Sequence, residues 1–545
     1  MTVGCSFSEE LVNGRSGFQN ILEGEYCCMR IERATNASRN IVFGVILKIY
    51  QLIIPFVMRT AMIYLLGVQY LGLNSLFTSI LQVLNLAELG VGSAMVYSMY
   101  KPIAEDDKIT ICALMHLYKI YYRMIGLVVC AAGLLLLPFV PKLISGDVPS
   151  DINVYVLYLM NLAATVLSYW LFSYKNSILQ AHQRVDVISK VMLLTETIKY
   201  VMQFAVLAIF HNYYYFVIVI LLTQIMTNIV TAIEADKMYP QYQAKGSLPK
   251  EEIQQINRRI RDLFTSKIGA VIINSADTIV ISSFLGLTVL AIYQNYFYII
   301  TAVIGLISTV FASVVAGIGN SIIVESKEKN FKDFKKFTFI IVWIAGVCVC
   351  CFICLFQPFM RVWVGEELLL DFSAVVCFCG YFFLYEINQL LNTYKDAAGI
   401  WHEDRFRPLV TALSNLGMNL IMVQFWGIYG IILSTVLSML FVGMPWLLHN
   451  LFTVLFEKKW LYCYLKKLGY YVAIVFVSAC ATYWLCSWIV LPDIILILVR
   501  LIICCVVSNL IFLIAYHRME EFKLSVQLVD KMTKGKIRFL KKLET

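Results

Sequence analysis

Residues 73–95 read LNSLFTSILQVLNLAELGVGSAM, a mostly apolar run of about the length that crosses a bilayer. Asn74, Thr78, Gln82, Asn85, Glu88 and Gly92 recur through it every three or four residues. At 100° per residue these six positions fall within one third of a helix circumference. Hydrocarbon gives such groups no hydrogen-bond partners. The stripe is therefore expected to face protein or a water-filled cavity inside a membrane protein.

The rest of the chain agrees with that reading. Of its 545 residues 60% are apolar and only 14% charged, with a mean hydropathy of +0.76. A soluble domain carries roughly a quarter charged residues, and the weak alternation of outer-membrane strands is absent. The expected fold is all-α and polytopic. The 16 cysteines are scattered, mostly inside apolar runs, which argues against a secreted disulfide framework. Residues 1–40 hold no apolar core of a cleavable signal. Residues 1–28 lack pattern, and Met29 opens a basic lead-in, so residues 1–28 read as a mis-called start.

A window of about 19 residues finds fourteen candidate spans. If both termini lie inside, 36 of the 44 Lys and Arg residues are cytoplasmic, and only Lys142 and Arg361 fall in external loops. Missing one early span would destroy that bias. The net charge of +9 is mostly this topology signal and calls for no nucleic acid. The division expected is a cytosolic segment 1–40, a first lobe 41–234 with six spans, and a cytosolic linker 235–262. A second lobe 263–457 with six spans, two extra spans in 458–517 and a basic cytosolic tail 518–545 follow. Within the linker, Ile253, Ile256, Ile260 and Leu263 share a face, as in an interfacial helix; Met519, Phe522, Val526 and Val529 do the same at the tail.

The lobes repeat. RTAMIYLLGVQYLGLNSLF (residues 59–77) matches DTIVISSFLGLTVLAIYQNYF (residues 277–297) in a Leu-Gly-x-x-x-Leu core, placing Gly67 and Gly286 at equivalent points. Six spans per lobe give parallel repeats about a pseudo-twofold along the membrane normal, a geometry suited to alternating access.

These residues carry a resemblance. Leu66, Gly67, Leu71, Gly72, Leu73, the Ala87-Glu88-Leu89-Gly90 element and Tyr100, Pro102 and Ala104 resemble the start of the polysaccharide flippases. Those belong to the multidrug/oligosaccharidyl-lipid/polysaccharide exporter superfamily. Residues 397–435 resemble the later signature of that family, and the likeness runs from residue 29 to about 520. The resemblance implies two six-helix lobes plus two C-terminal helices in a bacterial cytoplasmic membrane. It also implies export of undecaprenyl-diphosphate-linked oligosaccharide for surface polysaccharide, with a polymerase and glycosyltransferases of the same pathway as partners. The glycan is not specified.

On that reading Arg59 and Lys48, on one face of the first span, are head-group candidates, joined by Lys199 and Lys395. A guanidinium fork suits diphosphate oxygens. Snorkelling competes at Lys48, and an intrahelical pair of Glu196 with Lys199 competes at Lys199. Asn74, Thr78, Gln82, Asn85, Tyr381, Tyr385, Asn388 and Asn392 are expected to line the cavity. Glu88, Asp277 and Glu386 are coupling or gating candidates for H+ or Na+, with a structural pairing as the alternative at Glu88. Asp277, beside Asn274, sits where Arg59 sits in the first lobe, so a cross-lobe gate is expected.

Other signals are declined. CVCCFIC (residues 348–354) reads as apolar packing rather than a metal site, and no metal or cofactor is expected. No G-x-x-x-x-G-K-[ST] is present, which excludes ATP hydrolysis by this chain, and no domain houses catalysis. A cation-coupled multidrug exporter of the same fold is the alternative function. A polysaccharide polymerase or a non-transporting scaffold fits less well.

Overall fold

The computed structural model describes residues 17–146 and 148–532, and every element among them is a helix. Most of the suspected mis-called start, the end of the basic tail and the Asn274 side chain lie outside the described residues. The first lobe comprises α1 (Gly17–Leu65), α2 (Val68–Leu84), α3 (Val91–Ala104), α4 (Lys108–Leu136), α5 (Val154–Trp170), α6 (Asn176–Ala181), α7 (Val185–Phe210) and α8 (Tyr213–Met238). The second comprises α9 (Lys250–Val324), α10 (Lys327–Val364), α11 (Phe372–Ala397), α12 (Arg407–Ser438) and α13 (Met444–Asn450). Then come α14 (Lys459–Ser487), α15 (Asp493–Tyr516) and α16 (Glu520–Met532), all packed on α10.

Eleven helices are long and apolar enough to cross a membrane, twelve if the bent pair Val154–Trp170 and Ser173–Ala181 is one span. Two of these are hairpins. In α9 the backbone turns at Gly286, φ 88°, a left-handed conformation that glycine adopts without a Cβ penalty. Gln294 then donates to Thr278 at 2.9 Å, eight residues either side of the turn. In α12 the turn is at Gly427, φ 54°, and Asn415 donates to Thr435 at 2.9 Å. The expected fourteen is reached only by counting the bent pair as one span and each hairpin as two crossings. Gly67, φ 120°, turns α1 into α2 as Gly286 turns the arms of α9, so the repeat seen in the sequence is a repeated turn.

The lobes meet where α2 runs along α9. A Cβ on Gly72 would stand 2.2 Å from the Leu287 carbonyl oxygen, so the two backbones touch. The C-terminal part of α1 also leans on the second lobe: Phe56 stacks on Trp363 at 4.4 Å, and the Trp363 indole donates to Thr60 at 2.7 Å.

Two expected surface helices pack on protein instead. The linker helix is the first part of α9, so the boundary at 263 falls inside a helix. Its Ile256 is buried, Tyr121 donates to Asn257 at 2.6 Å, and Arg259 lies over Tyr97 at 4.8 Å. At the other end, α16 buries Phe522 and Val526, with the Phe522 ring stacked 5.9 Å from Trp343. Its Glu521 pairs with Lys467 and Lys335, and Lys332 holds the Glu520 carboxyl below its usual range. Apolar stripes of this kind bind whichever apolar surface is within reach, lipid or protein, and both helices have protein beside them.

Candidate functional site

Between the lobes lies a cavity of about 510 Å³. Asn74, Thr78 and Gln82 of α2 form one wall, and Thr278, Gln294 and Thr301 from the two arms of α9 form the other. Tyr381 and Tyr385 of α11 close it, their rings 5.8 Å apart. Arg59 of α1 stands at its edge, donating to Asn295 Oδ1 through Nε at 3.3 Å and Nη2 at 3.2 Å. Its guanidinium lies 5.2 Å from the Tyr298 ring, a cation–π contact from the opposite lobe. The described lining contains Arg59 as its charged side chain and no carboxylate.

Arg59 and Asn74 also line a second cavity of about 240 Å³, whose far wall carries Lys199 and Gln203. Lys199 in turn borders a third, of about 310 Å³, with Glu196, Gln224 and Asn228 inside the first lobe. Arg59 and Lys199 thus link three chambers, of which the middle one is mostly apolar. The alternative pairing of Lys199 with Glu196 does not appear among the described ion pairs; Glu196 instead accepts from Gln51 at 3.2 Å. Lys48 is exposed, and its Cε lies 3.9 Å from where a Cβ on Gly305 would stand. Gly305 lines the interlobe cavity, which places Lys48 at the cavity mouth.

The opening stripe divides. After Leu84 the helix tightens into a 3₁₀ turn over Asn85–Glu88, and Gly90 (φ 88°) reorients the chain. The 100° period no longer applies beyond that point, so Asn74, Thr78 and Gln82 reach the cavity while Asn85 and Glu88 do not. Glu88 instead accepts from Tyr122 at 2.5 Å and Tyr169 at 2.8 Å within the first lobe. This is the pairing that the structural alternative at Glu88 expects.

The cross-lobe gate expected between Asp277 and Arg59 does not form. One residue before the cavity-lining Thr278, Asp277 is rotated by 100° into the second lobe. There it is buried and accepts from Asn419 (2.6 Å), Thr435 (3.1 Å) and Tyr293 (3.4 Å). The cross-lobe partner of Arg59 is Asn295. Glu386 is fully buried, and both of its oxygens lack a hydrogen-bond partner among the described residues. Lys395 leaves the head-group set: it pairs with Asp396 at 2.7 Å and Asp404 at 3.6 Å. Arg407 binds the same Asp404 at 2.6 Å and draws Asn392 with it, so Asn392 is a brace rather than cavity lining. Asn85 and Asn388 each keep a buried Oδ1 without a partner and do not border the cavity.

Sequence reasoning missed Thr278, Gln294, Asn295, Tyr298 and Thr301. Gln294, Tyr298, Thr301 and Gly305 recur at helical spacing, and the test applied to residues 73–95 would have found them.

The family described as "Polysaccharide biosynthesis protein" matches residues 37–316. No curated protein matches the chain. Among solved structures, one titled "Lipid II flippase MurJ, inward closed conformation" superposes with a TM-score of 0.66 at 15% identity, covering 87% of this chain and 99% of that one. A second, an inward-facing multidrug resistance MATE family transporter of the MOP superfamily, gives 0.59 at 15% identity, covering 75% and 98%. At that identity the likeness is one of fold.

Proposed function

We propose that this chain, which belongs to the polysaccharide biosynthesis protein family, is a flippase for diphosphate-linked oligosaccharide rather than an enzyme. The observation that carries the reading is the interlobe cavity, with amides, hydroxyls and tyrosines on its walls, a guanidinium at its edge and no carboxylate in its described lining. Amides and hydroxyls exchange hydrogen bonds with sugar hydroxyls, and the guanidinium fork donates to diphosphate oxygens in pairs. A cavity for cationic drugs calls for acidic residues, and this one has the opposite sign. The undecaprenyl chain stays in lipid while the head group passes between the lobes of a bacterial cytoplasmic membrane protein. Both termini are then cytosolic, where a polymerase and glycosyltransferases of the same pathway act on either side of the step.

The coupling cation, H+ or Na+, is assigned to Asp277. Its carboxylate meets three neutral donors and no basic side chain among the described residues. An ionised group so buried is costly unless a cation or proton accompanies it. Glu386, still poorer in partners, is the second candidate. Mass spectrometry of lipid co-purifying with the chain tests the substrate; recovery of no polyprenyl-diphosphate glycan would overturn it. Asp277→Asn tests coupling: the head group should still bind, while transport should no longer respond to an imposed cation gradient. An unchanged gradient response removes Asp277 from that role.

A further inference from the structure

Three thiols that the transport reading leaves unused converge far from the cavity. Cys354 of α10, Cys486 of α14 and Cys504 of α15 are buried, and their sulfur atoms all lie within 4.8 Å of one another. Beside them is Arg500, four residues before Cys504 on α15. Its Nη1 donates to the Cys354 carbonyl at 3.3 Å, while its buried Nε has no partner. No carboxylate pairs with Arg500 among the described residues. Cys351 packs against the same trio, and Cys505, the residue after Cys504, is exposed.

We propose that Cys354, Cys486 and Cys504 form a binding site for a soft monovalent metal ion, Cu(I). Thiolate sulfur selects Cu(I) over harder cations. Zinc also takes thiolates, but its structural sites are closed by four ligands, and the set here has three. Charge supports the same choice. Cu(I) with two thiolates and one remaining thiol carries one negative charge, and the Arg500 guanidinium carries one positive charge. The loaded site is neutral in the membrane, two protons having left for solvent. Loading also gives Arg500 the counter-charge it otherwise lacks. A disulfide needs only two of these sulfurs and gives the guanidinium none.

The test uses the full chain, purified reduced and without oxygen, exposed to Cu(I) buffered by a competing chelator and then desalted. About one copper per chain is expected, lost in Cys354→Ser and Cys504→Ser and retained in Cys463→Ser, which alters an exposed cysteine outside the trio. X-ray absorption on the wild type should show sulfur neighbours alone around copper, which decides the matter even if a serine variant fails to fold. Zn(II) in parallel should be retained far less. The proposal is overturned if the wild type keeps no copper, or if Cys504→Ser keeps as much. Nitrogen or oxygen neighbours, or Zn(II) held as tightly as Cu(I), would each overturn it too.

Discussion

Replacing Arg59 by alanine removes the one guanidinium at the edge of the interlobe cavity. Two of its N–H groups are already aimed at Asn295, at 3.3 and 3.2 Å. A guanidinium has five donors, so about three remain for phosphate oxygens. A hydrogen bond from a charged group contributes roughly 1.5–3 kcal/mol. Losing a paired contact, discounted for water entering the emptied space, costs about 2–4 kcal/mol, or roughly 30- to 700-fold in head-group affinity. Arg59→Lys keeps the charge but not the fork, and should recover about half of that free energy. The assay is binding of a short-chain polyprenyl-diphosphate sugar to purified protein in nanodiscs, paired with glycan export in cells at matched membrane levels. Export within threefold of wild type for Arg59→Ala would refute the reasoning. It would also move Arg59 to the role of a brace between the lobes through Asn295 and Tyr298.

Glu88→Gln should lower thermal stability by about 2 kcal/mol, because two hydroxyl bonds to a carboxylate become bonds to an amide, while head-group binding stays unchanged. Reduced binding at unchanged stability would return Glu88 to the cavity. Gly72→Ala should abolish stable accumulation or transport, because the new Cβ meets the Leu287 carbonyl oxygen at 2.2 Å. Gly469→Ala, with nothing within 4 Å, should be neutral in the same membrane-level assay. The Glu520–Lys332 pair predicts a pH window for docking of α16. The Glu520 carboxyl titrates below its usual range, so its contribution is fully present above the unfolded value of about 4.3 and is lost as pH falls below that. Protease sensitivity of the tail should therefore rise on acidification, and a flat profile down to pH 3 would count against the pair.

Much of the architecture could be read from hydropathy and the paired glycines, because these report bilayer length and turns directly. The cavity wall of α2 was legible for as long as its helix stayed regular. Glu88 was lost at the 3₁₀ turn, since no residue of Asn85–Glu88 advertises that break. Asp277 missed by one residue, which on a helix is a different face. Lys395 and Asn392 are drawn off by Asp404 and Arg407, of which Asp404 is itself held by the distant Asn450, and the cysteine trio joins residues as far apart as Cys354 and Cys504. Such meetings are made by packing and leave no local spacing to detect.

The turn at Gly286 also bears on how the chain meets the hydrogen-bond demand of the bilayer. One glycine separates the two arms of α9. The arms form a single wedge in which Gln294 is hydrogen-bonded to Thr278, so these two side chains meet each other's needs inside the bilayer. The same holds at Gly427, where Asn415 and Thr435 are joined. Each hairpin thus holds these polar side chains paired with one another, and Asp277 has its three donors only where both wedges stand together.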